Sequence, residues 1–461
     1  MKKHYHFIGI GGTGLSAIAR VLLEQGHTVS GSDALISPLA EELRSLGATI
    51  YYEHKAEQIA GADMVIRSSA IQDDNVEVKA AHTAGIPVLK RVDFLQTLTS
   101  NHKVIAVAGT HGKTTTTAMA AWVFNQLDLD PSFIIGGTSK DLKSNAHAGT
   151  GEYFVIEADE YDFMFLGLAP DYLILTIVEY DHPDCYPTHA AYNNAFKELI
   201  RKMKKGGVLL VCADHNPTFE IGKWAEQFGT VLYYGSSSAQ YRLEDLHHKE
   251  QHGVGFRLHF PDGSKLDQEL SVPGDHNASN AAAVLALIDR LGFSVEIASQ
   301  ALAKFSGTNR RFDIVGIFQG ITLIDDYGHH PTEIRSTIQA ARKKYPQNRI
   351  FTVWQPHTYS RTQELFEDYL DAFHESDVVI VTEIYASREK FQDYSAKLVA
   401  GQIKNTNVHF IAALHDTTKF LLQELKSGDV VLVLSAGDAN RINQDLSREL
   451  STPLTERRTH A

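Results

Sequence analysis

The stretch VIAVAGTHGKTTTTAM, residues 104–119, decides the fold class of the middle of the chain. Its run of β-branched and small apolar residues predicts a buried strand, and the segment after Lys113 predicts a helix. Between the two, Gly109 and Gly112 predict a tight turn whose backbone N–H groups can surround an anion at the helix N-terminus. A strand, a glycine turn and a helix in this order indicate a nucleotide-binding α/β domain.

This turn has the chemistry of a P-loop, although it is shorter, because Val107 stands where the usual pattern has its first glycine. Lys113 supplies a cation for the β- and γ-phosphate oxygens, and Thr114 supplies a hydroxyl group for Mg²⁺. The alternative, a Gly-Lys-Thr that merely caps a helix, fits poorly with a position directly behind a buried strand. We therefore expect ATP to bind at Gly109, Thr110, His111, Gly112, Lys113, Thr114 and Thr115.

A second glycine turn lies in FIGIGGTGLSAIA, residues 7–19, between another predicted strand and helix. Gly9, Gly11 and Gly14 match G-x-G-x-x-G, and Asp33 ends the next strand, where an acid can meet a ribose hydroxyl. Such glycines also occur where a helix and a strand only pack closely. The pattern predicts a nucleotide site without identifying the nucleotide, and a nicotinamide or flavin cofactor fits it as well.

The length and amino-acid composition exclude several classes of protein. The length of 461 residues predicts about three domains, and the net charge of −13 argues against nucleic-acid binding. The two cysteines, Cys185 and Cys212, cannot form a disulfide framework and fit a reducing compartment. No apolar run reaches the roughly 18 residues of a membrane span, and the N-terminus enters a strand at once rather than a signal peptide. We expect a cytoplasmic enzyme without membrane insertion.

Strand and helix signals alternate along the whole chain, which predicts mostly parallel sheets. A polar stretch at 96–103 predicts a linker, and the segment near 307 predicts a second boundary. The predicted fold class is α/β with three domains. They are a Rossmann-like domain at 1–100, a central P-loop ATPase-type domain at 101–307 with a β-rich insert at about 231–272, and a Rossmann-like domain at 308–461.

Acidic residues follow two apolar strands of the central domain, in VIEADEYD at 155–162 and VEYDHPDCY at 178–186. Ligands gather at the carboxyl ends of strands in open α/β sheets. We therefore expect Glu157 and His182 to hold Mg²⁺ beside Thr114, although a histidine is an unusual ligand for this ion. A solvated strand end and a hydrogen-bonded loop histidine are the plain alternatives.

The last domain carries DDYGHHPTEI at 325–334 and WQPHTYSRT at 354–362. Histidines and an arginine at strand ends suit an anionic carboxylate or phosphate, and their spacing matches no zinc pattern. Arg311, at the domain boundary, is expected either to reach across a cleft toward the phosphates or to be a solvated hinge charge.

Taken together, these motifs resemble the Mur ligases of peptidoglycan synthesis over essentially the whole chain. GTHGKTTT, EADE, GDHNASNAAA, RRF, DDYGHHPTEI and QPHTYSRT stand in that family's order. GIGGTGLS and DDYGHHPTEI are most similar to the branch that adds L-alanine. The resemblance implies ATP-dependent joining of L-alanine to the lactyl carboxylate of UDP-N-acetylmuramate through an acyl phosphate. The products would be UDP-N-acetylmuramoyl-L-alanine, ADP and phosphate. The alternative is the branch that attaches a preformed murein tripeptide.

The resemblance also implies roles for matching positions. The first glycine turn would hold the UDP-sugar, with candidates Gly9, Gly11, Gly12, Thr13, Gly14, Asp33, His54, Ser68 and Ser69. The ATP set would include His276, Asn277, Asn280, Arg311 and Asp326. The amino-acid side would be lined by Tyr327, His329, His357 and Arg361, and Mg²⁺ would be held by Thr114, Glu157 and His182. Catalysis would rest on Lys113, His182, Arg311 and His329, the last as a candidate base with an ordinary pKa of about 6.5.

Two other classes of protein stay open at this point. A nicotinamide-dependent dehydrogenase built on the first glycine turn would leave GTHGKTTT unexplained. A nucleotide switch without enzymatic function would give no reason for the histidines of the last domain. A ligase with this organisation would act on UDP-N-acetylmuramate and L-alanine as a monomer or homodimer, and would close about a hinge near 306–310.

Overall fold

The computed structural model describes residues 2–35, 37–236, 239–248, 253–405 and 407–451. Three β-sheets, each flanked by helices, follow one another along the chain. The predicted α/β fold class with three domains is confirmed. Within the described ranges, every helix is too short or too polar to cross a membrane.

The first sheet has five parallel strands in the order β3-β2-β1-β4-β5. The strands are β1 His4–Ile8, β2 Thr28–Ser32, β3 Thr49–Tyr51, β4 Met64–Arg67 and β5 Val88–Lys90. The helices are α1 Thr13–Glu24, α2 Pro38–Ser45, α3 Val76–Thr83 and α4 Arg91–Thr99, with a 3-10 turn at Ala56–Ile59. This order is that of a Rossmann sheet, and the first glycine turn leaves the carboxyl end of its central strand.

The predicted linker at 96–103 is wrong for its first half, because α4 continues to Thr99. Phe94 and Leu98 stand four residues apart and are both buried, so they form one apolar helix face. Gln96, Thr97 and Thr99 made the segment look polar in the sequence. Only three residues, 100–102, separate α4 from the second sheet.

The second sheet has ten strands in the order β15-β14-β13-β12-β11-β10-β6-β9-β7-β8. The strands are β6 Lys103–Ala108, β7 Ser132–Ser139, β8 Ser144–His147, β9 Tyr153–Glu157, β10 Tyr172–Leu175, β11 Val208–Cys212, β12 Thr230–Gly235, β13 Tyr241–His248, β14 Val254–His259 and β15 Lys265–Glu269. The helices are α5 Lys113–Gln126, α6 His189–Arg201, α7 Asn216–Ala225, α8 Asp275–Leu291 and α9 Val295–Lys304, with a 3-10 segment at Tyr161–Gly167.

The segment predicted as a β-rich insert does not form a separate unit. Strand β12 pairs in parallel with β11, and β13, β14 and β15 continue the same sheet outward. Helix α8 packs against this extension, with Ala281, Val284 and Leu285 fully buried. The β-rich prediction holds, and the strands enlarge the second sheet. Strands β7 and β8 were not predicted.

The third sheet has six strands in the order β16-β17-β21-β18-β19-β20, with β16 antiparallel and the others parallel. The strands are β16 Asp313–Phe318, β17 Ile321–Asp326, β18 Ile350–Trp354, β19 Val378–Val381, β20 Val408–Phe410 and β21 Val430–Leu434. The helices are α10 Pro331–Lys344, α11 Tyr359–Glu364, α12 Phe366–Leu370, α13 Lys397–Ala400, α14 Leu414–Glu424 and α15 Arg441–Ser451. Each sheet falls within one predicted domain range, while the boundaries themselves stay a prediction.

The second and third sheets meet at the carboxyl ends of their strands. Behind β10, Glu179 accepts a hydrogen bond of 2.9 Å from Thr332, which lies behind β17. Asp181 accepts one of 2.7 Å from Arg361, which lies behind β18. The strand ends that carry the predicted motifs therefore form one interface between two domains.

Candidate active site

The loop between β6 and α5 has a backbone that requires glycine. Gly109 has a φ of +138° and Gly112 a φ of +81°, both in the region that side chains disfavour. A Cβ atom on Gly109 would lie 2.0 Å from Oγ1 of Thr176. Oγ1 of Thr176 also donates to the carbonyl oxygen of His111 at 2.6 Å, so the loop is held tightly against the end of β10.

Lys113 points its ammonium group into this loop. Its Nζ atom donates to the carbonyl oxygens of Gly109 at 2.6 Å and Thr110 at 3.0 Å, and lies 2.8 Å from Oε2 of Glu160. Burial lowers the pKa of Lys113, but the carboxylates of Glu160 and Glu157 outweigh this effect and raise the pKa above its ordinary value. Lys113 is therefore a charged group at neutral pH, placed where a phosphate can replace carbonyl oxygens.

Thr114 and Glu157 form the oxygen-rich part of the predicted metal set. Oγ1 of Thr114 donates to Oε1 of Glu157 at 3.0 Å, and the backbone N–H of Gly136 donates to Oε2 at 2.6 Å. His182 lies instead beside Glu160, with Nε2 3.5 Å from Oε1. The structure thus pairs two of the three predicted metal residues and places the third next to a different carboxylate.

A cavity of about 230 Å³ opens between the loop and the third domain. Nine of the residues predicted to contact ATP line it: His111, Gly112, Thr114, Thr115, His276, Asn277, Asn280, Arg311 and Asp326. Gly109, Thr110 and Lys113 do not line the cavity. Other lining residues had no signal in the sequence, among them Thr176, Cys212, Tyr234, Ser336 and Lys344.

The start of α8 forms one wall of the cavity. Nδ2 of Asn277 donates to the carbonyl oxygen of Pro273 at 2.7 Å, and Nδ2 of Asn280 donates to Oδ1 of Asn277 at 3.2 Å. A Cβ atom on Gly112 would lie 2.7 Å from Oδ1 of Asn280, so this amide touches the glycine loop. His276 precedes both asparagines and lines the same cavity.

The third domain contributes Asp326 and Arg311 to the opposite wall. The Asp326 carboxylate accepts hydrogen bonds of 2.7 Å from the backbone N–H groups of Phe312 and Gly328, and burial raises its pKa to about 6. The guanidinium of Arg311 lies 5.1 Å from the centre of the Tyr327 ring and 3.5 Å from Oε1 of Glu333. Arg311 is therefore held over the cavity by an aromatic face and is not a solvated hinge charge.

A second group of side chains joins the P-loop directly to the third domain. Nε2 of His111 lies 2.8 Å from Oε2 of Glu179, and its Nδ1 lies 3.3 Å from Oε1 of Glu333. The His330 ring centre is 4.7 Å from that of His111. Burial lowers the pKa of His111, but the hydrogen bond to Glu179 and the nearby charge of Glu333 raise it to about 9. His111 is thus an imidazolium between two carboxylates from different domains.

Glu333 was not predicted as a site residue. Its Oε2 accepts hydrogen bonds from the backbone N–H groups of His329 at 3.1 Å and His330 at 3.4 Å, at the start of α10. An acid three residues behind a helix cap is a recognisable signal, but it identifies a capping residue only. Its contact with His111 depends on how the domains meet.

Arg361 and Asp181 form a buried ion pair across the interface. Asp181 accepts from Nε of Arg361 at 2.7 Å and from Nη2 at 3.2 Å, and the arginine is 1% exposed. Burial raises the pKa of Asp181, but the guanidinium holds it well below its ordinary value. Arg361 was predicted on the amino-acid side, and in the structure its charge faces an internal carboxylate.

His329 and His357 lie side by side in the third domain, with ring centres 5.7 Å apart. Burial and the charge of Arg361 lower the pKa of His329 to about 3. Burial, His329 and Arg361 lower the pKa of His357 to about 2. The expectation of an ordinary pKa for His329 is wrong, because its ring is withdrawn from water beside a buried cation. Tyr327, the fourth residue predicted here, packs edge-on against His329 at 5.6 Å.

The predicted UDP-sugar residues lie together at the first glycine turn. Gly9 has a φ of +85°, and a Cβ atom there would lie 3.0 Å from Cβ of Ser68. Oδ2 of Asp33 accepts a hydrogen bond of 2.8 Å from the backbone N–H of Gly11, so this acid shapes the turn itself. Gly12, Thr13 and Gly14 start α1, and Ser69 is exposed beside Ser68. His54 lies deeper, with Nδ1 3.0 Å from Oε2 of Glu77.

Arg91 at the start of α4 is a residue that the sequence did not indicate. A Cβ atom on Gly14 would lie 1.7 Å from its Nη1, so the guanidinium lies on the glycine turn. Nη2 of Arg91 also lies 3.3 Å from Oδ2 of Asp159, in the second domain. A cation thus connects the first glycine turn to a carboxylate of the second domain.

Comparison with known protein families accounts for nearly the whole chain. Residues 4–103 match the model described as Mur ligase family, catalytic domain. Residues 107–288 match the Mur ligase middle domain, and residues 310–437 match the model described as Mur ligase, glutamate ligase domain.

Individual relatives agree with these matches. The chain is 41% identical to a UDP-N-acetylmuramate–L-alanine ligase of Roseiflexus sp. (strain RS-1), covering 96% of this chain and 98% of that protein. The solved structure of UDP-N-acetylmuramate-alanine ligase from Thermotoga maritima has a TM-score of 0.82 at 30% identity, over 97% and 99% of the two chains. A murein peptide ligase from Psychrobacter arcticus has a TM-score of 0.73 at 26% identity, over 98% and 99%. With three family models in order along the chain and relatives matched over nearly their full length, this chain belongs to the Mur ligase family.

Proposed function

We propose that the protein joins L-alanine to the lactyl carboxylate of UDP-N-acetylmuramate with consumption of ATP. The products are UDP-N-acetylmuramoyl-L-alanine, ADP and phosphate. The relatives that share 36–41% of its residues over 95–97% of the chain are named for this activity. The two free cysteines and the use of ATP support a place in the cytoplasm.

One structural observation carries the proposal. The P-loop ammonium of Lys113, the cavity beneath Arg311 and the buried histidines at 329 and 357 all lie at a single interface between two domains. ATP on one side and the amine on the other can therefore both reach a lactyl carboxylate held between them without crossing bulk water. The first glycine turn lies on a separate sheet, where a diphosphate can rest on the start of α1.

The chemistry requires two steps. A carboxylate does not react with an amine at neutral pH, because its oxygen is a poor leaving group. Transfer of the γ-phosphoryl group to the lactyl carboxylate gives an acyl phosphate and ADP. The amine then attacks the acyl carbon, a tetrahedral intermediate collapses, and phosphate leaves. Lys113 and Arg311 stand where they can offset the negative charge that spreads over the moving phosphoryl oxygens.

The residues present fit a Mg²⁺ ion at the phosphates. Mg²⁺ prefers oxygen ligands and usually takes one or two protein groups besides phosphate and water. The Thr114 hydroxyl and the Glu157 carboxylate, already 3.0 Å apart, are such a pair and would hold the ion. When bound, it would neutralise phosphate charge. Glu157 is kept in place by the backbone N–H of Gly136.

The incoming amine needs a neutral environment with a hydrogen-bond acceptor. His329 is uncharged at pH 7, because its pKa is about 3. A ring with so low a pKa orients an amine through a hydrogen bond and does not hold its proton. Released protons would pass to phosphate or water.

The test is a panel of amine substrates. Purified protein is given ATP, Mg²⁺ and UDP-N-acetylmuramate with L-alanine, glycine, L-serine or murein tripeptide, and phosphate release and product mass are measured. We expect L-alanine to give the highest kcat/KM and a product heavier by one alanyl residue. Preferential use of the tripeptide would assign the chain to the peptide-adding branch, and the absence of any new amide would refute ligase function.

A further inference from the structure

The second sheet has a basic surface at the amino ends of β11 and β12. Residues 197–205, KELIRKMKK, contain five basic residues and one acidic residue, in a chain whose net charge is −13. Because β11 and β12 run parallel to β10 and β6, these amino ends lie opposite the strand ends that carry the P-loop. The name basic edge is used below for seven residues: Lys197, Arg201, Lys202, Lys204, Lys205, Trp224 and Phe228.

Several cations of the basic edge are open to solvent. Lys202 and Lys205 are exposed and make no ion pair with any residue of the described ranges. Nζ of Lys204 lies 2.8 Å from Oδ2 of Asp171, and its side chain is still 41% exposed. Basic residues at the end of a helix can simply offset the helix dipole, but Lys204 and Lys205 stand beyond α6, which ends at Arg201.

Two aromatic rings accompany these cations. The ring centres of Trp224, in α7, and Phe228, in the loop before β12, are 4.8 Å apart. The guanidinium of Arg201 lies 4.9 Å from the centre of the Trp224 ring and 6.0 Å from that of Phe228. The ammonium group of Lys197 lies 5.2 Å from the Trp224 ring. Phe228 is 52% exposed, so apolar surface and positive charge occur together.

A cavity of about 340 Å³ opens on the basic edge. Arg201, Lys204, Lys205 and Phe228 line it, together with backbone of the loops that precede β11 and β12. A cavity of this size accepts a small ligand, and its charged wall selects an anion. One phosphate-bearing headgroup fits both conditions.

We propose that the basic edge binds the surface of a lipid bilayer that carries anionic phospholipids, with Phe228 entering the headgroup region. Basic residues beside an exposed aromatic side chain are typical of proteins that lie on a membrane interface. The overall charge of −13 does not prevent this contact. Salt screens charges beyond about 8 Å at physiological ionic strength, so the local cations determine the interaction. An acidic peptide would pair with the cations but would give no reason for the exposed Phe228 ring.

Binding at this edge leaves the candidate active site in water. The strands β10, β11 and β12 have four, five and six residues, so the two edges of this part of the sheet lie roughly 13–20 Å apart. The cavity that faces the third domain is at the other edge. We therefore expect the bilayer to change where the protein is located and not the ligation itself, so this inference goes beyond the proposed function and does not depend on it.

The first experiment is co-sedimentation of the full-length protein with vesicles. One set of vesicles is phosphatidylcholine alone, and the other is one third phosphatidylglycerol and two thirds phosphatidylcholine. We expect binding to the anionic vesicles only, with affinity at least about tenfold weaker at about 1 M salt than at about 0.1 M salt. Equal binding to both vesicles, or binding to neither, would overturn the proposal.

The second experiment removes the unpaired charges. Each basic residue near an anionic bilayer strengthens binding about fivefold, so Lys202→Gln/Lys205→Gln should bind the anionic vesicles about 25-fold more weakly. The matched control is Lys419→Gln/Lys426→Gln, which changes the net charge equally at two exposed lysines of the third domain. The control should bind within about twofold of the wild type. Equal losses in both double variants would mean that net charge, and not the basic edge, drives binding.

The third experiment separates a bilayer from other anionic partners. Phe228→Ser keeps every cation and removes the apolar contact, so vesicle binding should weaken about fivefold. Soluble glycerol phosphate and poly-glutamate are added as competitors, and neither should displace the protein from vesicles at equal anion concentration. Unchanged vesicle binding by Phe228→Ser, or displacement by either competitor, would overturn the bilayer proposal in favour of a small anion or an acidic peptide. Each variant's Tm and its L-alanine ligation without vesicles should match the wild type, and a wild type that does not ligate would affect only the proposed function.

Discussion

His111 of the P-loop faces Glu333 of α10 across the domain interface, with Nδ1 of the imidazole 3.3 Å from Oε1 of the carboxylate. On the other side of the ring, Nε2 lies 2.8 Å from Oε2 of Glu179. One histidine therefore connects the P-loop of the second domain to the third domain. The positive charge of His111 therefore contributes to the attraction between the two domains.

This ion pair predicts a pH-dependent stability. The pKa of His111 is about 9 in the folded protein, above the value of about 6.5 in an unfolded chain. The stabilisation is therefore complete below about pH 6.5 and is lost as the pH rises through about 9. The carboxylates of Glu179 and Glu333 stay ionised over this range, because the neighbouring histidines lower their pKa values.

The measurement compares Tm of wild type and His111→Gln from pH 6 to pH 10. We expect the wild type to melt about 2–4 °C or more above the variant at pH 6, and the difference to shrink toward zero above pH 9. His374→Gln, which removes an exposed histidine paired with Asp371, is the control and should show no such trend. If the Tm difference between wild type and His111→Gln stays constant with pH, the stabilisation does not come from a protonated His111.

Lys113→Ala should abolish acyl phosphate formation. The ammonium lies in the loop, 2.8 Å from Glu160, and its loss removes a fixed charge from the path of the phosphoryl group. We expect phosphate release to fall at least about 10²–10³-fold. Binding of UDP-N-acetylmuramate, followed by calorimetry, should persist, because the first glycine turn lies on another sheet. Lys103→Ala, which removes a half-exposed lysine paired with Glu152, serves as the control. Normal ATP turnover in Lys113→Ala would contradict the assignment of the loop.

Arg311→Ala should lower turnover far more than nucleotide affinity. The guanidinium lies over the cavity beside the Tyr327 ring, and its charge matters most when the phosphoryl group moves. We expect kcat to fall about 100-fold and Kd for ATP to change less than about threefold. Arg441→Ala, at an exposed pair with Asp438, is the control. An unchanged kcat for Arg311→Ala would show that the charge of Arg311 does not contribute to turnover.

Gly109→Ala should disrupt the P-loop through steric overlap in addition to backbone strain. The new Cβ atom would lie 2.0 Å from Oγ1 of Thr176, at a φ of +138°. The comparison is Gly26→Ala, where φ is +84° but no atom lies within 4 Å. We expect Gly26→Ala to cost about 1 kcal/mol and keep ATP binding, since only backbone strain is introduced. Gly109→Ala should lose measurable ATP binding. Equal behaviour of the two variants would show that contact with Thr176 is unimportant.

Local patterns in the sequence were enough to identify both glycine turns. Val104 to Ala108 and the residues after Lys113 form β6 and α5 because strand and helix periodicity involve neighbouring residues only. The same reasoning identified the strand ends at Glu157 and Asp326, because parallel strands collect polar residues at one edge. It failed at 96–103, where threonines concealed one apolar helix face.

Contacts between domains could not be predicted from local patterns in the sequence. The contact of Glu333 with His111, that of Arg91 with Gly14 and that of Arg361 with Asp181 each join residues 77 to 222 positions apart in the chain. No periodicity relates such residues, since their distance is set by strand order and by how the sheets dock. The order of the ten strands likewise joined the β-rich segment to the nucleotide-binding sheet.

The sequence thus predicted which types of chemical group form the site. It did not predict their charge or protonation. The types and spacing of lysine, threonine and glutamate in the P-loop region predict phosphate and metal binding. The charge on His111 arises from Glu179 and from Glu333 of the third domain, and the weak basicity of His329 arises from burial beside Arg361. Packing alone brings those partners within hydrogen-bond distance, and protonation responds to distance and solvent exclusion.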